Sequence, residues 1–158
     1  MENLKVVIAD DEERICQLIQ ALVNWDGLGI EIAEMAHNGI EAFDVVQKVR
    51  PDILITDIRM PGLSGLELIE KVKAACPEME IIIISGYAHF EYAQQAIRFG
   101  VGHYLLKPIN KAELTETLEK LKSKIGKRQE SERDKQVLIQ KAQKNEDYMR
   151  SKLLTQLL

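Results

Sequence analysis

Apolar residues along the chain fall into two rhythms. Five short runs are nearly continuous: "KVVIA" (5–9), "IEIAEMA" (30–36), "DILIT" (52–56), "EIIIIS" (80–85) and "GHYLL" (102–106). β-branched residues dominate several of them, which favours buried strands. The second run is less tidy, with Ala33 following Ile30 and Ile32, and reads as an edge or near-edge strand. Between the runs the apolar positions recur every three or four residues. Ile15, Leu18, Ile19 and Leu22 predict a first helix, and Ala42, Val45, Val46 and Val49 a second. Leu66, Ile69 and Val72, with Lys73, predict a third; Tyr92, Ala93, Ala96 and Ile97 a fourth. A fifth starts near Lys111 and carries Leu114, Leu118, Leu121 and Ile125. Pro51 and Pro77 end the helices before them, and Gly100 sits where a helix C-cap belongs. Strands alternating with helices imply parallel pairing and an α/β layer fold. The right-handed crossover rule then limits the topology.

In such a sheet, ligands bind beyond the carboxyl ends of the strands. The polar residues there are Asp10 and Asp11, Asp57, Ser85 and Lys107. Asp57 poses the sharpest problem, because a carboxylate at the end of a buried strand is costly to desolvate. If the first and third strands are neighbours, three acids converge and repel each other unless a cation joins them. Oxygen-only ligands favour a hard metal, Mg2+ foremost, which suits phosphate chemistry. Lys107 would add a point charge and Ser85 a hydroxyl, together a cradle for phosphoryl oxygens. Asp57 would then be a nucleophile able to form an acyl phosphate. Each residue also has a plain structural reading: Asp11 as an N-cap, Ser85 as a turn residue, Lys107 as a solvated charge. The functional reading rests on the five occurring together at strand ends.

Composition narrows the class. Hydrophobic residues at 46% and charged residues at 29% suit a globular chain. Cys16 and Cys76 show neither disulfide nor metal-ligand spacing and read as reduced thiols, which fits a cytoplasmic protein. No signal peptide or membrane span is expected. The formal charge of −4 hides an asymmetry. Residues 1–121 hold 11 basic and 20 acidic side chains, net −9; residues 122–158 hold 10 and 5, net +5. The basic tail lacks a nucleic-acid reading motif and is expected to be a solvated face.

The strand-end motifs resemble those of the receiver domain of two-component response regulators, over about residues 3–122. "IADDE" is similar to the acidic pair, "LITDIRMPGLSGLEL" to the phosphoacceptor segment, "IIIISGY" to the hydroxyl strand and "YLLKPI" to the lysine strand. The resemblance implies an α/β, doubly wound, five-stranded parallel sheet, flavodoxin-like, in the order 2-1-3-4-5, with a C-terminal helical extension. It implies that Asp57 accepts a phosphoryl group from the phosphohistidine of a sensor histidine kinase. Asp11, Asp57 and the backbone carbonyl of Arg59 would bind Mg2+, with Asp10 acting through water. Ser85 and Lys107 would hold the phosphoryl oxygens, and the Lys107–Pro108 bond would be cis. Tyr104 would be a switch ring that turns inward as Ser85 moves toward the phosphate; its plain reading is a half-buried strand aromatic. Arg59 and Tyr87 would tune water access. The signal would leave through the fourth helix, fifth strand and fifth helix. Such a module is not an enzyme in the ordinary sense. A phosphohydrolase that works through an aspartyl phosphate would need an acid two residues after the nucleophile, where this chain has Arg59.

"LVNWDGLGIEIAEMAHNGIEA" and "SGYAHFEYAQQAIRFGVGHYLLKPINKAEL" further resemble receivers joined to AraC-type DNA-binding domains in bacteria. There Trp25 would pack the first helix against the loop before the second strand, and Phe90 and Tyr92 would be packing residues of the fourth helix. The expectation is a receiver at 1–122 and a helical linker at 123–158, cut before a DNA-binding domain, with DNA contacted only through that absent part. The alternative is a stand-alone receiver that binds a protein target. In the tail the register of Leu114, Leu118, Leu121 and Ile125 passes through charged Arg128, Glu132 and Lys135 before reaching Ile139, Ala142, Met149 and Leu153. Gly126 weakens a helix locally, so one signalling helix, two helices or a partly ordered linker are all open. "VLIQ" (137–140) and "LLTQLL" (153–158) are the candidate contacts of a homodimer.

Overall fold

The computed structural model describes residues 3–86 and 90–157, except the side chains of Phe90, Ala93 and 145–157. Five parallel strands, β1 (Leu4–Ala9), β2 (Ile30–Ala36), β3 (Ile53–Thr56), β4 (Glu80–Ser85) and β5 (His103–Leu106), form one sheet in the order β2-β1-β3-β4-β5. The expected doubly wound order is therefore present. Among the described residues six helices connect and follow them: α1 (Glu13–Leu22), α2 (Trp25–Leu28), α3 (Gly39–Val49), α4 (Gly65–Ala75), α5 (Phe90–Arg98) and α6 (Lys111–Leu157). By contacts the chain divides into Met1–Leu121 and Lys122–Leu158.

The three central strands are buried on both sides, which is why β3 and β4 read as unbroken apolar runs. Successive side chains alternate between the faces. Val7, Leu54, Ile81 and Ile83 pack with Val46 of α3, Leu68 and Ile69 of α4 and Ala96 of α5. Val6, Ile8, Ile53, Ile55, Ile82 and Ile84 are as deeply buried on the other side. The helices left to cover that side are α1 and the start of α6, whose Cys16, Ile19, Leu114 and Leu118 are buried. The buried stripe of α1 is thus Cys16 and Ile19, and Leu18 stands 43% exposed. Ile97, expected to face inward, is 63% exposed, and Ala96 takes the core position.

The untidy second run has a physical cause. β2 is the edge strand, and its register against β1 slips between Val6 and Val7: Val6 faces Ile32 and Val7 faces Glu34. Ala33 is the extra residue of a bulge, which interrupts the alternation. Periodicity passes over α2, one turn of helix. Its own signals are local: the Asn24 side chain accepts from the Gly27 N–H, and Gly29 closes the turn with φ 69. Trp25 is buried, and its indole N–H donates to Gln20 O at 3.1 Å, tying α2 to the end of α1. Gly100, with φ 92, ends α5 in a Schellman arrangement. Its N–H donates to Ile97 O at 3.0 Å, and that of Val101 to Ala96 O at 3.2 Å.

The tail is one helix and not two, because α6 runs through Gly126. One glycine costs a long helix about 1 kcal/mol, too little to break it. No helix among the described residues is long and apolar enough to cross a membrane.

Candidate functional site

In a sheet ordered β2-β1-β3-β4-β5, the chain winds one way from β1 to β2 and the other way from β3 onward. The crevice falls between the ends of β1 and β3. Asp10 follows β1 and Asp57 follows β3, and both extend the ladder by one rung. The Asp10 N–H donates to Ala36 O at 3.0 Å and the Asp57 N–H to Ala9 O at 3.1 Å. The sheet itself therefore fixes the two acids side by side.

Both carboxylates are nearly closed from water, Asp10 at 3% and Asp57 at 6% exposure. Each has one oxygen held by a backbone N–H and one facing Lys107. Asp57 Oδ1 accepts from the Ile58 N–H at 2.6 Å, and Asp10 Oδ1 from the Glu12 N–H at 2.9 Å. The Lys107 ammonium donates to Asp57 Oδ2 at 2.9 Å and to Asp10 Oδ2 at 3.3 Å. Lys107 follows β5, and its backbone N–H donates to Ser85 O at 2.9 Å, so β4 aims it across the sheet end. Its peptide bond to Pro108 is cis.

Burial pushes the Asp10 carboxyl up from 3.8 to about 6, helped by the charge of Asp57 and opposed by the Glu12 N–H and Lys107. Burial alone would lower the Lys107 ammonium. The hydrogen bond to Asp57 and the charges of both acids outweigh it and raise the group.

Asp11 is exposed, yet Asp10, Asp11 and Asp57 each offer an oxygen within 4.8 Å of the others. Two oxygens on opposite sides of a Mg2+ lie about 4.2 Å apart, given Mg–O distances of about 2.1 Å. The cluster is therefore close to the size that a small hard cation spans. Its donors are all oxygen, and exposed Asp11 leaves room for the waters that such an ion keeps. The N-cap reading of Asp11 does not hold. The N-cap of α1 is Glu12, which makes no side-chain cap, and it is Asp10 that binds the Glu12 N–H.

Ser85 is fully buried at the end of β4. The Tyr104 ring packs against the core, and its hydroxyl is buried near Ser85 without a hydrogen bond of good geometry. Burial pushes the Tyr104 hydroxyl up, Ser85 lowers it and the charge of Asp57 raises it again. Arg59 is exposed, and its guanidinium lies 5.9 Å from the centre of the Tyr92 ring. With Asp11, Met60, Pro61 and Ser64, these two line an open groove of about 450 Å³ beside the acid cluster. Tyr87 lies outside the described residues.

Sequence reasoning passed over the contacts that support the site. Thr56 Oγ1 donates to Asp57 O at 2.9 Å, His37 Nδ1 lies 3.3 Å from Asp10 O, and the Cys16 thiol donates to Asp10 O at 3.7 Å. Gly65 is packed against the Asp57 backbone: a Cβ there would collide with Asp57 O and lie 2.6 Å from Ile58 Cα. The one signal for Gly65 was its place after the cap residue Ser64, whose Oγ accepts from the Glu67 N–H at 3.3 Å.

Residues 6–119 match the family model described as the response regulator receiver domain. The chain is 41% identical over 131 residues to the uncharacterized transcriptional regulatory protein YesN of Bacillus subtilis, covering 83% of this chain and 35% of that one. It is 37% identical over 117 residues to the transcriptional regulatory protein HptR of Staphylococcus aureus, covering 74% and 46%. The chain thus spans about a third to a half of these curated relatives. Among solved structures, the REC domain of AraT, a response regulator from Geobacillus stearothermophilus, aligns with TM-score 0.78 at 38% identity, covering 82% of this chain and 99% of that one. A two component transcriptional regulator AraC from Clostridium phytofermentans aligns with TM-score 0.75 at 32% identity, covering 80% and 98%.

Proposed function

The chain belongs to the response regulator receiver domain family, and on that premise we propose that Asp57 accepts a phosphoryl group from the phosphohistidine of a sensor histidine kinase. The observation that carries this reading is the Lys107 ammonium, shared between Asp57 at 2.9 Å and Asp10 at 3.3 Å. A lone buried acid would be a liability. An acid beside a cation, at the rim of the sheet, has a partner for its charge and can act as a nucleophile.

Asp11, Asp57 and the Arg59 carbonyl would hold Mg2+, with Asp10 reached through water; when bound, the ion offsets the charge that gathers as acid and phosphoryl group approach. A carboxylate oxygen of Asp57 attacks phosphorus, the P–N bond to the donor imidazole breaks, and the imidazole nitrogen keeps the electron pair. The product is an acyl phosphate. Lys107, already at Asp57 Oδ2, then pairs with a phosphoryl oxygen. The Ser85 hydroxyl donates to another, and the Tyr104 ring, whose hydroxyl is already buried near Ser85, is held inward. The Tyr104 hydroxyl, buried and within reach of Ser85, supports a role for this ring in reading the state of Ser85. A charge added at Asp57 thereby biases a packed two-state surface on α5, β5 and α6.

The output we propose is control of transcription through an AraC-type domain beyond residues 1–158. The AraC regulator among the structural relatives and the greater length of the curated relatives support it. The receiver works in the cytoplasm as a signalling module, with residues 123–158 as its linker. In the second unit, Val137, Leu138 and Ile139 are 48%, 66% and 58% exposed and support contacts to a second copy. The side chains of "LLTQLL" lie outside the described residues. Incubation with a small phosphodonor and Mg2+ should add one phosphoryl group to the wild type and none to Asp57→Asn. Labelling that survives the substitution rejects the assignment.

A further inference from the structure

The loop after Asp57, residues 59–64, is gripped by glycines from two directions. Gly65 meets the backbone of Asp57 and Ile58, its near neighbours in sequence, and its N–H donates to Ile58 O at 2.6 Å. Gly39 comes from a different part of the chain. It is the first residue of α3, it is buried, and its N–H donates to Pro61 O at 3.4 Å. A Cβ at Gly39 would collide with the Leu63 carbonyl oxygen and stand 2.6 Å from both the carbonyl carbon and the Cβ of Leu63. Next to it, Ile40 is 58% exposed but lays its Cδ1 3.1 Å from where a Cβ on Gly62 would stand.

The helix does not ask for a glycine there. Alanine is the better helix former, and Asn38 already caps α3 by accepting from the Glu41 N–H at 2.8 Å. Nor does backbone conformation ask for it. The described glycines with positive φ are Gly29, Gly62 and Gly100. What remains is space: Gly39 lets the start of α3 touch the loop backbone directly.

That contact has a consequence for the acid cluster. A methyl group at Gly39 must push Leu63 away, and Gly65 pins the far end of the loop against Asp57 and Ile58. Residues 59–62, which include the carbonyl of Arg59, lie between the segment that Gly65 meets and the residue that Gly39 meets. We propose that Gly39, with Ile40 beside it, is a positioning residue that sets the loop, and with it the Arg59 carbonyl, for metal binding. The proposal rests on the reading of Asp57, Asp11 and Arg59 as the metal set. Neither Gly39 nor Ile40 belongs to that set.

The test is calorimetric titration of Mg2+ into wild type, Gly39→Ala, Ile40→Ala and Gly126→Ala, with urea unfolding of each. Gly126 is the control, since a Cβ there meets nothing within 4 Å. Gly39→Ala should weaken Mg2+ binding about tenfold, the scale of a lost supporting contact around a metal. Ile40→Ala should weaken it less, in the same direction, and Gly126→Ala should bind as the wild type does. Amide exchange at Gly65 should quicken in Gly39→Ala. A merely structural role would lower the urea midpoint and leave the Mg2+ affinity of the folded protein unchanged, which overturns the proposal. If Gly39→Ala does not fold, Ile40→Ala carries the test, because it leaves the backbone alone, and wild-type affinity in that variant overturns the proposal. A wild type that binds no Mg2+ refutes the reading of the site itself, whereas a binding wild type matched by its variants refutes only the brace.

Discussion

Asp10 makes the stability of this protein depend on pH in a direction opposite to that of most carboxylates. The perturbation is Asp10→Asn, compared with wild type in a chelating buffer free of divalent ions. In the folded chain Asp10 is 3% exposed, and burial, with help from Asp57, moves its carboxyl from 3.8 to about 6. Between those values the folded state keeps a proton that the unfolded chain has released. When the folded form binds more protons, stability falls as pH rises. The contribution is therefore fully present below about pH 4, declines through the interval and is gone above about pH 6. At about 1.4 kcal/mol per pH unit, the gap amounts to about 3 kcal/mol. Asparagine has no proton to lose, so the variant lacks the decline. Urea unfolding followed by far-UV circular dichroism at steps from about pH 4 to 7 measures the difference between the two proteins directly. Carboxylates distant from Asp10 contribute alike in both proteins and cancel. Saturating Mg2+ should abolish the decline, because a cation at the cluster favours the ionised acid, and its binding near about pH 5.5 should release protons. If the wild type and Asp10→Asn differ by a constant amount across the interval, the argument from burial is refuted.

Three further outcomes are expected. Lys107→Met leaves Asp10 and Asp57 without their shared cation; it should cost about 2–3 kcal/mol in chelating buffer, less than the ~3–5 of a sealed pair because the Lys107 side chain is 22% exposed. Added Mg2+ should restore part of that loss, and unfolding curves with and without the ion measure it. Asp11→Ala removes an exposed acid; it should change stability by no more than about 0.5 kcal/mol yet weaken Mg2+ binding, so an unaltered titration counts against its ligand role. Tyr104→Phe deletes a buried hydroxyl that lacks a well-formed hydrogen bond, so it should be neutral or stabilise by up to about 1 kcal/mol. A clear loss in urea unfolding would mean that the hydroxyl is bonded to Ser85 after all.

The readable features share a cause: they repeat locally or sit at strand ends. Burial on both faces wrote β3 and β4 into the chain as apolar runs, and the polar residue that breaks each run marks the rim. Asp10, Asp57, Ser85 and Lys107 could be named as neighbours because the order of the sheet brings those ends together. The AraC-type resemblance, carried by longer stretches such as the one around Trp25, agrees with the relatives found. The features that were not readable depend on pairing between distant segments. The slip at Ala33 appears only once β2 has β1 beside it. The one-turn helix α2 is shorter than the period that would reveal it, although Asn24 and Gly29 bracket it with caps. The exposure of Ile97 and Leu18 is hidden from periodicity because each belongs to an apolar set of which only part is buried, Ala96 beside Ile97 and Ile19 beside Leu18. The role of Gly39 is the extreme case, since nothing near it in sequence announces Leu63 as its neighbour.

The central claim is that a phosphoryl group is carried on the carboxylate of Asp57. Borohydride reduces an acyl phosphate to an alcohol, so it turns a phosphorylated aspartate into homoserine. The measurement is reduction of the protein after exposure to phosphodonor and Mg2+, followed by tandem mass spectrometry of the whole digest, including the peptides that cover residues 6–14 and 49–59. Homoserine is expected in place of Asp57, with unaltered aspartate at positions 10 and 11. Homoserine at either of those positions, or phosphate retained on a serine, threonine or histidine, would contradict it.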